Sequence, residues 1–377
     1  MSNAEDIIEP PPPVLSVSPA SLNGDNGNNC SNENSTGTAS ATHCVTAIDN
    51  TATSVTGSHN PGSSRGQKAT EAGEPQTPPA YRVTFRGRAT LGKNPEQSIL
   101  NVLRLTCVDS FKSPDFQGRV QEIKKAFYAR DFDAIFLTPE NLPVYSAMYT
   151  PRRALCYYQM FTSEPELVKV LRQRKHIYCL GAGSGSELLG ISAAFCHVAA
   201  PAPDHKVPRA TKEAKPLVIH TQDYADWTPV LTRLEDSIRR KWGVTEGEHI
   251  RCEYSQNNLM EIRQELRDEL GRADLVTVMF VFNELFTAKS KAMEFVKAMV
   301  MHLRRGALLL LVDSAGSFSS VKVGERNYMS HMFFDALKSH FKPLISDDAR
   351  WYRHPAQLDY PLPVENMRYF IRLYQKL

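Results

Sequence analysis

Cysteine is scarce and scattered. The seven residues Cys30, Cys44, Cys107, Cys156, Cys179, Cys196 and Cys252 form no C-x-x-C pair, which excludes the usual zinc-ribbon and thiol-redox spacings and a disulfide-stapled scaffold. They read as reduced, mostly buried thiols, and no metal site is expected. No stretch reaches the roughly 18 consecutive apolar residues of a membrane-spanning helix. The opening residues MSNAEDIIEP are acidic where a signal or mitochondrial presequence is basic, so an intracellular protein is expected. Internal repeats are absent, as is any aromatic-rich RNA-binding signature of the RRM type.

Positive charge is also nearly missing from one part of the chain. Residues 1–80 hold two bases (Arg65, Lys68) and eight acids, a net of −6, which leaves +9 on the rest of a chain whose formal charge is +3. The same 80 residues contain PPPP, NGDNGNN and STGTAS and no periodic apolar positions. Such a segment buries too little surface to offset its ordering entropy, so it reads as a disordered, low-complexity acidic tail. The basic remainder is compatible with an RNA-binding surface without requiring one. The clusters at 172–175 (RQRK), 239–241 (RRK) and 304–305 (RR) could follow an RNA backbone, but two adjoin helix C-termini, where basic residues are favoured anyway.

Beyond Tyr81, SILNVLRLTCVDSF and FQGRVQEIKKAFYARDFDAIF show apolar residues at three and four spacing, which predicts a helical extension over 81–175 packing on the core. From 176 to 377 short apolar runs alternate with helical patterns, as in βα units on a parallel sheet. Strands are expected at 177–180, 216–221, 249–254, 274–282 and 307–313. A helix is expected in KAMEFVKAMVMHLRRG, stopped by Gly306, and another in NYMSHMFFDALKSHF. The chain finishes on MRYFIRLYQKL, a strand with no helix after it, which should pair antiparallel at or near a sheet edge.

Chemistry concentrates in HIYCLGAGSGSELLG, residues 176–190. Gly181, Gly183 and Gly185, with Ala182 and Ser184 between them, follow a buried strand and open a helix at Ser186-Glu187, so backbone N–H groups and a helix N-terminus face a ligand. A dinucleotide fingerprint is G-x-G-x-x-G, whose third glycine would fall at Ser186. The G-x-G-x-G version with Glu187 behind it is instead the form shown by class I methyltransferases that use S-adenosylmethionine. Asp223, at the end of the second strand in VIHTQDYADW, is placed to bind ribose hydroxyls, with Asp226 as a rival; an insertion over 199–215 precedes it. Asn257 and Asn258 follow the third strand, where an amide could accept from an adenine amino group. Asn283 and Glu284 in FVFNELF, and Asp313 in LLVDSAGSFSS, end the fourth and fifth strands at the edge where ligands of open α/β sheets bind. Glu284 could equally be an acid favouring a helix N-terminus, and Phe318 a buried loop aromatic or a stacking face.

The stretches YTPRRALCY (149–157), HIYCLGAGSGSELLG, TVMFVFNELF, LLLVDSAGSFS and YPLPVENMRYFIRLYQK resemble the fungal family of the 25S rRNA uridine-N3 methyltransferase. The resemblance covers roughly residues 100–377. It implies an α/β Rossmann-like class I fold, a mostly parallel seven-stranded sheet with an antiparallel C-terminal strand, and S-adenosyl-L-methionine as donor. It also implies rRNA of the pre-ribosomal large subunit as partner and a location in the nucleus and nucleolus, with the cytoplasm as the alternative; a monomer without membrane or metal is expected. Uridine N3 must lose its proton as it attacks a methyl group, and it is blocked in a base pair, so the target base must be single-stranded or flipped out. Asn283 is then expected to orient the uracil edge and Glu284 or Asp313 to accept the proton. Arg153 could pair with the donor's methionyl carboxylate, an RNA phosphate or a surface acid. Two alternatives stay open: a methyltransferase of a small molecule or protein side chain, and a non-catalytic ribosome-assembly scaffold.

Overall fold

A computed structural model describes residues 89–199, 215–316, 319–323 and 325–377. The acidic tail, Phe318 and nearly all of the 199–215 insertion lie outside the described residues. Seven strands form one sheet: β1 (His176–Leu180), β2 (Leu217–Asp223), β3 (Ile250–Gln256), β4 (Leu275–Met279), β5 (Leu308–Ser314), β8 (Phe341–Tyr352) and β9 (Met367–Lys376). Their order is β3-β2-β1-β4-β5-β9-β8. β6 (Ser320–Val323) and β7 (Arg326–Met329) pair as a separate ribbon.

β1 to β5 are mutually parallel, while β9 runs antiparallel to both β5 and β8. The terminal strand thus reverses near the edge as expected, one place inside it. The edge strand itself is β8, which the sequence pattern did not reveal because bulges at Pro343/Ile345 and Asp347/Arg350 interrupt its alternation. The helix expected over NYMSHMFFDALKSHF is also corrected: only Met332–Asp335 is helical, and β7 and the start of β8 take its two ends. β4 stops at Met279 rather than running to 282, because Phe280 turns the chain with φ +57°.

Burial explains the strands that were legible. β4 is buried along its whole length and β5 over Leu308–Asp313, so both read as continuous apolar runs. Among the described residues no helix is long and apolar enough to cross a membrane. Cys107, Cys156, Cys179 and Cys196 are buried free thiols and Cys252 is half-buried.

Helices Pro95–Thr106, Phe116–Ala129, Asn141–Ser163 and Pro165–Arg172 precede β1. The longest packs on the Ser186–Ala199 helix at Gly190, where an added Cβ would stand 2.8 Å from the carbonyl oxygen of Ala154 and 2.8 Å from Tyr157 Cβ. Thr150 Oγ1 also donates to Ser184 Oγ at 2.8 Å, fixing the long helix to the glycine turn. Gly190→Ala improves helix propensity by about 1 kcal/mol, yet it should lower stability by about 1–3 kcal/mol through overpacking. A fall in the urea midpoint at unchanged m-value checks this; an increase would mean the helices separate freely.

Candidate active site

The parallel strands aim their C-terminal ends at one cavity of about 240 Å³. It lies where β1 and β4 feed connections in opposite directions across the sheet, the position at which open α/β sheets bind ligands. The turn after β1 forms its floor. Gly181, Gly183 and Gly185 all have positive φ, and a Cβ on Gly181 would strike Val281 at 2.5 Å. Gly181 N and Ala182 N donate to Gln222 O at 2.8 and 3.2 Å, so the turn leans on the end of β2. Gly185 does not line the cavity; a Cβ there would meet Leu234 at 2.6 Å, so its need for glycine is one of packing.

Asp223 stands beside this turn. Its Oδ2 accepts from Gly183 N at 2.9 Å and its Oδ1 from Ala225 N at 3.1 Å. Burial pushes its carboxyl up to about 6 against those two backbone donors. The rival Asp226 is exposed, accepts from Thr228 N at 3.1 Å just before the next helix, and is absent from the lining. Asn258, Leu259 and Met260 form the wall beyond β3, with Asn258 Oδ1 accepting from Met260 N at 2.9 Å. Asn257 turns away and lines a separate cleft.

Two acids and one base meet opposite. Glu187, in the first turn of its helix, is 3 % exposed. Glu284 lies in the single helical turn Phe282–Leu285, so it is both an acid at a helix N-terminus and a cavity residue. Each is raised to about 8. Burial is the main cause in both, opposed by Arg153; Asp223 raises both further, and Asp313 raises Glu284. Burial by itself would lower Arg153, but Tyr145, Tyr157, Glu187 and Glu284 more than offset it and the guanidinium is held above its usual value. Arg153 Nη1 donates to Tyr145 Oη at 2.9 Å and its Cζ lies 5.2 Å from the Phe280 ring centre. Among the described residues no carboxylate comes within ion-pair distance of it, so it makes no surface ion pair.

Asp313 and Asn283 are not in the lining. Asp313 is fully buried, and its Oδ1 accepts from Ser314 N (2.7 Å), Ser319 Oγ (2.8 Å) and Asn283 Nδ2 (3.0 Å). Burial still raises it. Those contacts make Asp313 an anchor for the helical turn that carries Asn283, with Glu284 the one of the two strand-end acids that faces the cavity. Sequence reasoning missed Tyr145, Tyr224, Trp227 and Phe280, which supply much of the aromatic lining. Only Phe280 carries a mark of its own, a bulky residue in the left-handed region, and that is a property of the fold.

The three basic clusters lie at the other end of the sheet. Arg174 donates to Lys215 O and Glu248 O, Lys175 and Arg304 pair with Asp274, and Arg239 pairs with Glu235. Those four are engaged by the protein where the strands begin and are absent from the cavity lining, while Arg172, Arg240, Lys241 and Arg305 of the same clusters are exposed.

A parallel sheet closed by a reversed strand, a glycine turn at the switch point and an acid ending β2 together define a class I methyltransferase. The chain belongs to the family described as "Putative SAM-dependent methyltransferase", whose model matches residues 104–375. It is 30% identical over 318 residues to the 25S rRNA (uridine(2843)-N(3))-methyltransferase of Saccharomyces cerevisiae, covering 75% of this chain and 86% of that one. Among solved structures it is similar to the N-methyltransferase NodS of Bradyrhizobium japonicum WM9 bound to S-adenosyl-L-homocysteine, at 9% identity and TM-score 0.30, covering 61% of this chain and 98% of that one. It is also similar to the 1,6-didemethyltoxoflavin-N1-methyltransferase of Burkholderia thailandensis, at 14% identity and TM-score 0.34, covering 67% and 88%.

Proposed function

We propose that this protein methylates N3 of a uridine in large-subunit ribosomal RNA. The observation that carries the reading is the 30% identity to the yeast uridine-N3 enzyme over 86% of that enzyme's length. S-adenosylmethionine, when bound, supplies an electrophilic methyl group on a sulfonium centre. The cavity fits such a donor in charge: three carboxylates raised by burial want a nearby cation, and one guanidinium without a carboxylate partner wants an anion. Gly181 to Ser184 and Asp223 would hold the nucleoside end, Leu259 and Met260 the apolar faces of its base, and Arg153 the carboxylate. Glu284 would accept the N3 proton, and Asn283, held by Asp313, would keep Glu284 in place.

The helices between Pro95 and Arg172 act in this reading as a cover that brings Arg153 and Tyr145 over the donor site. The target uridine must be unpaired or flipped to present its Watson–Crick edge. The enzyme would work in the nucleus or nucleolus, as a monomer, on the assembling large subunit. Nucleoside mass spectrometry of large-subunit rRNA from cells with and without the gene tests the assignment. Loss of one 3-methyluridine is expected; an unchanged level would overturn the rRNA reading and leave the methyltransferase class intact.

A further inference from the structure

The cavity lining leaves out a cluster of polar side chains lower on β1 and β2. There, His176 begins β1 and His220 lies within β2. Tyr178 is the register partner of His220, so His176, two residues earlier, shares its face and sits diagonally across from it. Their rings are stacked, 4° from parallel. The helix Gln264–Arg272 brings Glu269 over the same pair. Glu269 Oε2 lies 3.1 Å from His220 Nδ1 and 3.6 Å from His176 Nε2, and one ligand atom from each residue falls within 4.8 Å of the others. All three side chains are nearly buried, at 11, 10 and 13 % exposure.

We propose that His176, His220 and Glu269 form a binding site for a divalent transition-metal ion of the zinc class. In a tetrahedral site with metal bonds of about 2.0–2.1 Å the ligand atoms stand roughly 3.3–3.4 Å apart, and the two separations to the carboxylate bracket that value. Neutral imidazole and carboxylate are the ligand types such ions take from borderline donors. The outer contacts are those of a held ligand set. Ser255 Oγ meets His220 Nε2 at 2.9 Å and aims Nδ1 inward, and Arg272 pairs with the other Glu269 oxygen. His176 Nε2 is buried with no hydrogen-bond partner among the described residues, an arrangement that costs free energy unless something fills the gap. The cleft lined by His220, Glu253, Asp268, Glu269 and Arg272 gives an ion its way in and leaves room for a water as fourth ligand. An ion there would pin β1, β2 and the helix together through three residues that do not line the methyl-transfer cavity.

Cobalt(II) titration of the chelator-treated full-length protein tests this. Tetrahedral cobalt(II) should give visible d–d absorption that saturates at a single equivalent and is displaced by zinc. His176→Gln and Glu269→Gln should each weaken that binding by at least about tenfold, while circular dichroism and calorimetric binding of S-adenosylmethionine remain those of the wild type. If one variant fails to fold, the other carries the test. No visible band in the wild type would overturn the site, leaving a hydrogen-bonded His–Glu network only. Equal binding in a folded variant, or thiolate charge-transfer bands, would overturn it in favour of adventitious surface or cysteine ligation.

Discussion

Glu284→Gln is expected to lower the rate of methyl transfer by about 10²–10⁴-fold while leaving donor binding near its wild-type value, the range over which a positioned proton acceptor acts. Glutamine keeps the volume and one acceptor oxygen, so the loss isolates the proton-accepting role. The environment of Glu284 dictates a second signature. Its carboxyl is raised to about 8, first by burial and then by Asp313 and Asp223, against Arg153. Only the ionised form accepts a proton, so kcat/KM of the wild type should climb as pH rises toward about 8 and level off above it. The variant should lose that limb. Stability moves the other way. A carboxyl raised in the fold holds its proton more tightly than it does in the unfolded chain, so Glu284 and Glu187, both raised from 4.5 to about 8, cost the donor-free protein stability as pH climbs through that interval. A bound cationic donor should reverse part of this, seen as a larger ligand-induced rise in melting temperature at pH 8 than at pH 6. A Glu284→Gln rate within threefold of wild type would remove Glu284 from the chemistry.

Gly183→Arg should weaken S-adenosylmethionine binding by at least about 10³-fold, which corresponds to about 4 kcal/mol. Gly183 has φ +46°, and a Cβ there would lie 3.5 Å from Asp223 Oδ2 and 3.6 Å from the Trp227 ring. Those contacts are ordinary, so the chain should still fold after meeting a left-handed cost of roughly 1–2 kcal/mol. The arginine side chain, however, would project into the nucleoside end of the cavity and pair with Asp223. Isothermal calorimetry on variant protein with wild-type circular dichroism reads the effect. Normal binding would mean the donor sits elsewhere. Gly185→Ala is a different experiment, since its Cβ would collide with Leu234 at 2.6 Å and the expected loss is one of stability.

Much of this molecule was legible in one dimension. The buried strands β1, β2, β4 and β5 announced themselves as apolar runs, and the turn at Gly181 to Gly185 as punctuation between strand and helix, because burial and positive φ act on neighbouring residues. Asp223 and Glu284 could be placed from the same strand ends. Asp313 looked equivalent to Glu284 by that logic, since both follow buried strands. Only the fold turned the first inward onto Asn283, Ser314 and Ser319 and the second toward the cavity.

The sequence by itself determined the parallel α/β core, the glycine turn and hence the kind of donor, since these depend on local periodicity and backbone conformation. The tertiary structure decided which acid faces the cavity, that Arg153 reaches it from 28 residues before Gly181, that β8 rather than the terminal strand forms the edge, and that His176, His220 and Glu269 converge. Each of those is set by strand pairing, register and helix packing between separate segments, and no local pattern carries that information.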